Sequence, residues 1–378
     1  MMYKIAKNNL TDLYKAIAGE FDLILPVSKA GKTDFALWTE EAEADLDTLK
    51  TVKSAKDAFF PQVETLYNVT RETIPTDVAA GEDAEKRAGT AVRTKLNVIP
   101  GKLKDKDFVL FGVRPCDVRA VEVMDKVFLA EPADEFYKAR REHGIIASLA
   151  CGMPEESCFC KTFGTDPARP ENSAADIAMW LTGDELYMKP VTDKGEALVE
   201  KIKAALAGVL AEADENPAAV EEQKKTIDDI TAGLPLADLT TEGWGAGKTG
   251  ELFESPLWDK LYKPCLGCGT CTFVCPTCQC YDIKDYNTKD GVQRYRCWDS
   301  CMYSDFTLMA GGQNRHTQLE RFRQRFMHKL VYYPTNNDGM FMCVGCGRCV
   351  DRCPQSLSIV KVMKAFREER REEDGADV

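Results

Sequence analysis

The chemistry suggested by this sequence begins with two short runs of cysteines. They read "CLGCGTCTFVCP" at residues 265–276 and "CVGCGRCVDRCP" at residues 343–354, each spaced C-x2-C-x2-C-x3-C-P. Three cysteines at this spacing let one tight loop hold three corners of an iron–sulfur cube, and the glycines between them permit positive φ and close backbone approach. Two full copies, with glycines and proline in register, predict two [4Fe–4S] clusters rather than two zinc sites or core cysteines.

The fourth cysteine of each run is expected to serve the cluster of the other run. Such crossed ligation is found in two-cluster ferredoxins. We therefore assign to cluster I the ligands Cys265, Cys268, Cys271 and Cys353. Cluster II takes the ligands Cys343, Cys346, Cys349 and Cys275.

A third set of cysteines lies in the insertion between the runs, residues 277–342, which is too long for an ordinary connection. The set comprises Cys278, Cys280, Cys297 and Cys301. Four thiols make a complete ligand set and predict a third metal centre. We favour iron–sulfur over zinc, because C-x-C is awkward around a single tetrahedral ion and tolerable on a larger cube. Alternatively, some of these cysteines are small buried hydrophobes, or only some bind a metal.

A fourth set lies in the N-terminal half and comprises Cys116, Cys151, Cys158 and Cys160. Cys116 and Cys151 each follow a predicted strand, so both are expected at one end of a sheet, on loops where sites gather. The four predict another complete metal site, with zinc or an unmetallated thiol pair as the alternatives. Arg114 and Asp117 flank Cys116, and they either tune this site or pair with each other at the surface.

One segment is basic in an otherwise acidic protein. "NRHTQLERFRQRFMHKL" contains the cationic residues Arg315, Arg321, Arg323, Arg325, His328 and Lys329. Two interpretations stand equal: a cationic face that docks an acidic redox partner or lies near a negatively charged cluster, and a solvated helix. We expect His328 to be a packing or surface residue rather than a ligand.

The elements that must position these cysteines suggest an α+β fold. We expect a mixed α/β domain over residues 1–240, a linker over 241–262 and a ferredoxin-like two-cluster domain over 263–378 that holds the long insertion. Strands are predicted at "FDLILPV", "DFVLFGV" and "GIIASLA", a hairpin at Gly183–Asp184, and two helices within 194–232. A final helix is predicted from about Leu357 to Glu373. "GKT" at 247–249 is not a phosphate-binding loop, because the first glycine of that motif is replaced by Glu242.

Composition excludes several classes of function. The formal net charge of −12 argues against nucleic acid as the main partner. No apolar run approaches the roughly 20 residues that span a bilayer, and the first residues lack the apolar core of a signal peptide, so we expect a cytoplasmic protein with no membrane contact of its own. Sixteen cysteines against three histidines favour thiolate-bound clusters or structural zinc over haem.

The motifs together resemble one family. "FGVRPCD", "CFC", both cysteine runs, "CPTCQC", "WDSC" and "RQRFMHK" are similar to the iron–sulfur beta subunit of cytoplasmic sulfhydrogenases and to the related iron–sulfur subunit of anaerobic sulfite reductases, over roughly residues 55–365. The resemblance implies a non-catalytic electron-transfer subunit. It would relay electrons between a flavin subunit that handles NAD(P)H and another subunit that carries the catalytic metal site, in an anaerobic oxidoreductase complex.

Three hypotheses for function follow. The first is an electron-transfer subunit with two ferredoxin-type clusters and one or two more. It fits the absence of a G-x-G-x-x-G after any predicted strand and of any Cys–His or Ser–His arrangement. The second is a subunit whose extra cysteine site itself reduces sulfur, a disulfide or a thiol substrate. The third is a zinc-stabilised scaffold with one ferredoxin module.

Overall fold

The computed structural model describes residues 1–75 and 92–376. Its strands are, in chain order, β1 (Met2–Ala6), β2 (Asp22–Lys29), β3 (Lys32–Leu37), β4 (Glu43–Ala44), β5 (Val63–Pro75), β6 (Val92–Pro100), β7 (Phe108–Val113), β8 (Gly144–Leu149), β9 (Ile177–Thr182), β10 (Glu185–Pro190), β11 (Ala211–Ala213), β12 (Tyr281–Thr288), β13 (Gly291–Trp298), β14 (Leu308–Met309) and β15 (Gly312–Gln313).

The α-helices are α1 (Leu10–Glu20), α2 (Pro115–Phe128), α3 (Glu135–His143), α4 (Asp193–Lys203), α5 (Ala218–Ala232), α6 (Thr249–Phe253), α7 (Leu257–Leu261), α8 (Thr270–Phe273), α9 (Gln318–Met327), α10 (Tyr333–Asn336), α11 (Arg348–Asp351) and α12 (Ile359–Ala376). A π-helix, His328–Tyr332, joins α9 to α10. Short 3₁₀ turns lie at Lys7–Asn9, Ala55–Ala58, Cys160–Phe163, Pro170–Asn172 and Asp305–Thr307. This mixture of helices and sheets is the α+β class that the sequence predicts.

The chain forms two compact units, each built from separated segments. The larger unit contains Met1–Phe60, Lys104–Cys280 and Ser300–Val378, and the smaller contains Pro61–Leu103 and Tyr281–Asp299. The sequence prediction separated a domain of residues 1–240 from one of residues 263–378. In the structure, the residues on both sides of the predicted linker belong to the larger unit, and part of the predicted insertion belongs to the smaller one.

The larger unit is organised by a mixed sheet of strand order β11-β1-β10-β9-β8-β7-β2-β3, with β4 paired to β2. The central pairs β2–β7, β7–β8 and β8–β9 are parallel. Every residue of β7 and of β8 is buried, as expected for parallel strands covered on both faces. The predicted strands correspond to β2, β7 and β8, and the predicted hairpin is β9–β10 with Thr182 opposite Glu185.

Alternating side chains of the sheet meet helices on its two faces. Met179 packs with Leu13 and Leu198 of α1 and α4, whereas the next residue, Trp180, packs with Val220 and Ile227 of α5. This alternation follows from the period of two along a strand. The loops at the ends of β7 and β8 therefore start from a firmly packed layer, and those loops carry Cys116 and Cys151.

The C-terminal part of the larger unit packs around aromatic side chains. Trp258, Phe322, Phe326 and Phe366 lie in one apolar core formed by α7, α9 and α12. Trp244 joins the same core. The segment predicted as a linker, residues 241–262, is therefore a packed part of the unit with two short helices.

The smaller unit is an antiparallel sheet of order β12-β13-β5-β6. Its strands come from two stretches of chain that lie far apart in sequence, with Arg296 of β13 opposite Glu64 of β5. Arg296 Nε donates to Glu64 Oε2 at 2.6 Å, and both side chains are buried. In the part of the chain that the structure describes, no helix is long and apolar enough to cross a membrane.

Candidate metal centres

Three cavities in the larger unit are each lined by four cysteines. Cavity I has a volume of about 440 Å³ and contains the four cysteines assigned to cluster I, namely Cys265, Cys268, Cys271 and Cys353. Cavity II measures about 340 Å³ and contains those assigned to cluster II, namely Cys275, Cys343, Cys346 and Cys349. In each case three thiols come from one run and the fourth from the other, which is the arrangement that crossed ligation requires.

The N-terminal cavity measures about 400 Å³ and is lined by Cys116, Cys151, Cys158 and Cys160. Cys116 lies in the first turn of α2 and Cys151 just beyond β8, so both are at one end of the sheet, as expected. Cys158 and Cys160 come from the following loop, which continues into a 3₁₀ turn. The similar size of the three cavities and their similar thiol content fit three groups of one kind.

Glycines shape the two cysteine runs. Gly267, Gly269, Gly345 and Gly347 all have φ between 65° and 80°. Gly269 and Gly347 are the N-caps of α8 and α11, so the loop folds back around the thiols before each short helix begins. A Cβ on Gly345 would lie 2.3 Å from the carbonyl oxygen of Phe159, which leaves no room for a side chain there.

That close approach brings the second run against the N-terminal cysteine loop. The backbone N–H of Phe159 donates to the carbonyl oxygen of Gly345 at 2.9 Å. Gly345 and Cys346 line both cavity II and the N-terminal cavity. Arg325 lines both cavity I and cavity II. The order of the cavities is therefore N-terminal, II, I.

The thiols in these cavities are held in a low dielectric. Burial raises the pKa of Cys151 and of Cys346 to about 12 and that of Cys271 to about 11, and in each case a neighbouring arginine partly opposes the shift. Thiols of this kind remain protonated at neutral pH until a metal replaces the proton. The residues present thus suit cationic iron as the group that would hold them as thiolates.

Two cysteines differ from this pattern. Hydrogen bonds from Thr270 lower the pKa of Cys268, which is exposed at the edge of cavity I. Burial acts to raise the pKa of Cys275, but the Lys329 ammonium and the hydrogen bonds of Thr277 more than offset burial and lower it. Both residues are thus prepared to become thiolates, which are the form that ligates iron.

The basic segment contributes to the cavities from α9 and the π-helix. Arg325 and Lys329 are buried and line cavity II. Arg321 and Arg323 instead donate to the carbonyl oxygens of Met302 and Phe253. His328 is largely buried, and its pKa falls to about 4 because of burial first and then the charges of Lys329 and Arg315.

Around the N-terminal cavity the charged groups have partners. Arg114 donates to the carbonyl oxygens of Ala150 and Leu46, at 2.7 and 2.6 Å. Asp117 accepts two hydrogen bonds from Arg348, at 2.6 and 2.7 Å. The suggestion that Arg114 and Asp117 pair with each other is therefore wrong.

The partner of Asp117, Arg348, lies within the second cysteine run and was missed from the sequence. Its position between Gly347 and Cys349 is the signal that could have drawn attention to it. Lys50, a further residue of the cavity wall, pairs with Glu155 at 2.7 Å and with Asp351 at 2.5 Å.

The cysteines of the insertion fall in both units. In the larger unit the Cys278 thiol hydrogen-bonds to Cys280, and Cys280 hydrogen-bonds to Cys301. Lys56 Nζ donates to the carbonyl oxygen of Cys278 at 2.8 Å. Cys297 lies on β13 of the smaller unit, where burial raises its pKa and Lys284 opposes that shift. A shared centre of these four cysteines stays a prediction.

Single-ion sites have no counterpart in the described residues. No group of three or more His, Cys, Asp or Glu side chains in residues 1–75 and 92–376 converges tightly enough to hold one metal ion. Zinc bound by four thiolates needs Zn–S distances of about 2.3 Å, so its ligands crowd together. Thiols spread around a cavity of several hundred cubic ångströms suit a larger inorganic group.

Comparisons with known proteins agree with this geometry. A family model described as "4Fe-4S dicluster domain" matches residues 264–357, a range that includes both cysteine runs. The chain is 37% identical over 267 residues to "Sulfhydrogenase 2 subunit beta" of Pyrococcus furiosus, an alignment that covers 70% of this chain and 75% of the relative. No solved structure matches the chain.

Proposed function

This chain belongs to the family of iron–sulfur beta subunits of sulfhydrogenases, and on that premise we propose that it relays single electrons between a flavin subunit that handles NAD(P)H and a subunit that carries the catalytic metal site. The coarser statement needs no proposal: the chain is an iron–sulfur electron-transfer subunit with a 4Fe-4S dicluster domain. The proposal adds the identity of its neighbours and the number of its clusters.

The observation that carries the proposal is the sharing of wall residues between successive cavities. Cys346 belongs to the walls of both the N-terminal cavity and cavity II, and Arg325 to those of both cavity II and cavity I. Clusters bound there would be neighbours in a single line, and each would need to pass an electron only to the next. A conduit needs such closely spaced centres in a low dielectric.

One end of this line reaches the surface. Cys268 is exposed, and Leu266 beside it is 62% exposed. The opposite side of cavity I is closed by Met302, Phe322 and Phe326, which are almost completely buried. We therefore place the exchange of electrons with a partner at the Cys268 edge, because that edge needs no rearrangement to be approached.

The protein's own groups have simple tasks in this scheme. The thiols of Cys265, Cys271 and Cys353 hold cluster I, and the Leu357 N–H donates to Cys353 Sγ at 3.2 Å, a hydrogen bond of the kind that raises a cluster's potential. Gln318 donates from its side chain to the carbonyl oxygen of Cys265 and so anchors the start of the first run. The iron–sulfur group, when bound, supplies reversible one-electron chemistry.

We propose a third [4Fe–4S] cluster on Cys116, Cys151, Cys158 and Cys160, and a fourth centre on Cys278, Cys280, Cys297 and Cys301. The cavity around the first set supports that assignment. The hydrogen bonds that link Cys278, Cys280 and Cys301 support part of the second. Zinc is the alternative at both sets.

Anaerobic metal analysis of the full chain tests the number of centres. Four clusters predict about 16 iron atoms per chain, three predict about 12, and a zinc scaffold predicts about eight iron atoms with one or two zinc. Cys158→Ser and Cys297→Ser form a matched pair, since each removes one thiol from one extra set. A preparation with about eight iron atoms and no zinc would refute both extra sites.

A second candidate function rests on the three linked thiols of the insertion. Cys278, Cys280 and Cys301 form a continuous series of hydrogen bonds, so a disulfide between two of them could accept two electrons from the neighbouring clusters and two protons. Such a dithiol would reduce a sulfur or disulfide substrate directly. This hypothesis predicts that the isolated chain, supplied with a low-potential viologen, reduces polysulfide, and that Cys280→Ser abolishes the reaction while both ferredoxin-type clusters remain.

The partners follow from the family. We propose a cytoplasmic complex with a flavoprotein linked to NAD(P)H or ferredoxin and with a catalytic oxidoreductase subunit. Purification of the native complex under anaerobic conditions, followed by identification of its subunits, tests this directly. Recovery of the chain without any flavin-containing or metal-containing partner would contradict it.

A further inference from the structure

Arg325 and Lys329 are placed four residues apart along one continuous helical segment. Arg325 belongs to α9 and Lys329 to the π-helix that follows it. Side chains at this spacing lie on one face of a helix. Both extend into cavity II, and Arg325 reaches cavity I as well. Single π-turns within helices are frequently found at functional sites.

The local structure directs Lys329 at the cluster ligands. Its ammonium donates to Thr277 Oγ1 at 2.9 Å, and Thr277 Oγ1 lies 3.3 Å from Cys275 Sγ. The carbonyl oxygen of Lys329 accepts a hydrogen bond from the N–H of Met342, next to the first cysteine of the second run. The π-helix is thus tied at both the backbone and the side chain of one residue to the segments that carry Cys275 and Cys343.

Neither cation is neutralised by a carboxylate. In residues 1–75 and 92–376 no Asp or Glu forms an ion pair with Arg325 or Lys329, and the described walls of cavity II include no acidic residue. Arg325 Nε is buried without a hydrogen-bond partner. Burying an unpaired charge is costly unless something of opposite sign lies close by. The nearest such groups are the thiolates of Cys271, Cys349 and Cys275.

The N-terminal cavity shows the opposite arrangement. Its three cations are Lys50, Arg114 and Arg348. Lys50 has the carboxylates of Glu155 and Asp351, and Arg348 has that of Asp117. Three carboxylates therefore balance three cations around that cavity, whereas two unpaired cations face cavity II and one of them also faces cavity I.

From this difference we propose that Arg325 and Lys329 are positioning residues that make cluster II the first of the chain's clusters to be reduced. The inference rests on the proposed function, because it supposes that the cavities hold clusters. An added electron increases the negative charge of a cluster, and unpaired cations in a low dielectric favour that change. Arg325 raises the potentials of clusters I and II together, and Lys329 acts on cluster II. Cluster II is then the point in the middle of the line where an electron rests between partners.

The test is an anaerobic redox titration of the full chain, monitored by electron paramagnetic resonance and accompanied by iron analysis. Signals are assigned from Cys346→Ser for cluster II and Cys268→Ser for cluster I. In the wild-type chain, the first electron equivalent is expected to produce the signal of cluster II. If cluster I or the N-terminal cluster is reduced first, the proposal is overturned without recourse to any variant.

Charge-removing variants sharpen the test. Lys329→Met is expected to lower the equilibrium constant for reduction of cluster II at least tenfold, or about 59 mV for a one-electron couple, and to leave cluster I within threefold of wild type. Arg325→Gln is expected to lower the constants of both clusters. Lys329→Arg keeps the charge and is expected to restore most of the effect, which loss of packing alone would not allow.

Arg323→Gln is the matched control. Arg323 lies on the same helix, stacks over the Phe253 ring at 3.6 Å and lines none of the three cavities, so all potentials should stay at wild-type values. Unchanged potentials in Lys329→Met with full iron content would overturn the inference and leave the proposed relay standing. Absence of clusters from the wild-type chain would instead defeat the proposed function.

Discussion

Cavity II and the N-terminal cavity are neighbours built from the same materials and balanced differently. Each is lined by four cysteines and by buried basic side chains. Around the N-terminal cavity the cations are tied to carboxylates and backbone carbonyls, so that their charge holds segments of the fold together. Around cavity II the cations face thiols alone. The same residue types thus serve cohesion in one place and, by our proposal, electron affinity in the other.

The difference also shows how each region offsets the cost of burying charge. Arg348 and Asp117 form a bidentate pair between the second cysteine run and α2, and both side chains are buried. A buried pair with good geometry roughly offsets its own desolvation, but removal of either partner is strongly destabilising. Lys329 and Arg325 have no such partner among the described carboxylates, so we expect their burial to be favourable only when a negatively charged cluster is bound.

The largest effect should come from the shared ligand set itself. Cys353→Ser is expected to remove about four iron atoms and the spectroscopic signal of cluster I, because Cys353 lines cavity I although it belongs to the second run. Cys275→Ser is the reciprocal variant and should remove the signal of cluster II. Iron analysis and electron paramagnetic resonance measure both. Loss of the Cys343–Cys349 cluster in Cys353→Ser would show that ligation is not crossed and would dissolve the distinction between cavities I and II.

A smaller but still large effect is expected from Asp117→Asn. The change leaves Arg348 buried beside a neutral partner, so the free energy of unfolding should fall by about 3–5 kcal/mol. Guanidinium unfolding of the full chain under anaerobic conditions measures the loss. Asp228→Asn is the control, because its partners Lys161 and Arg169 are partly exposed and the pairs should contribute at most about 1 kcal/mol.

The same variant can break the comparison between the cavities. Asp117→Asn gives the N-terminal cavity an unpaired cation, so its cluster should become easier to reduce and approach the behaviour proposed for cluster II. A fall in stability without any change in that cluster's reduction would mean that charge balance does not set the potential there.

The sequence predicted those features that depend on spacing along one run or one strand. The ligand runs could be read directly, because C-x2-C-x2-C needs one tight loop and the family model confirms a dicluster domain at that place. The strands β2, β7 and β8 were recognisable from short apolar runs, and the β9–β10 hairpin from Gly183–Asp184. The α+β class follows from those elements.

Features that join distant segments could not be predicted in this way. The smaller unit pairs β13 with β5, and nothing in the local pattern near Arg296 indicates Glu64 as its partner. The Arg348–Asp117 pair joins residues 231 positions apart, and the sequence suggested the adjacent Arg114 instead. The basic segment could be recognised as unusual, but which of its residues turn inward depends on the π-helix, which has no signature in a single sequence.

The smallest expected effect concerns His328, which lies beside Lys329. Its pKa of about 4 is below the value of about 6.5 for an unfolded histidine, so between these values the unfolded chain binds the extra proton. Stability should therefore be full above pH 6.5 and fall by about 1–2 kcal/mol as pH drops from 6.5 to 5. His328→Gln should remove that part of the slope in guanidinium unfolding measured across this range. Because Lys329 is one cause of the shift, Lys329→Met should also flatten the slope, and an unaltered slope in both variants would show that His328 stays uncharged for reasons unrelated to the cations at cavity II.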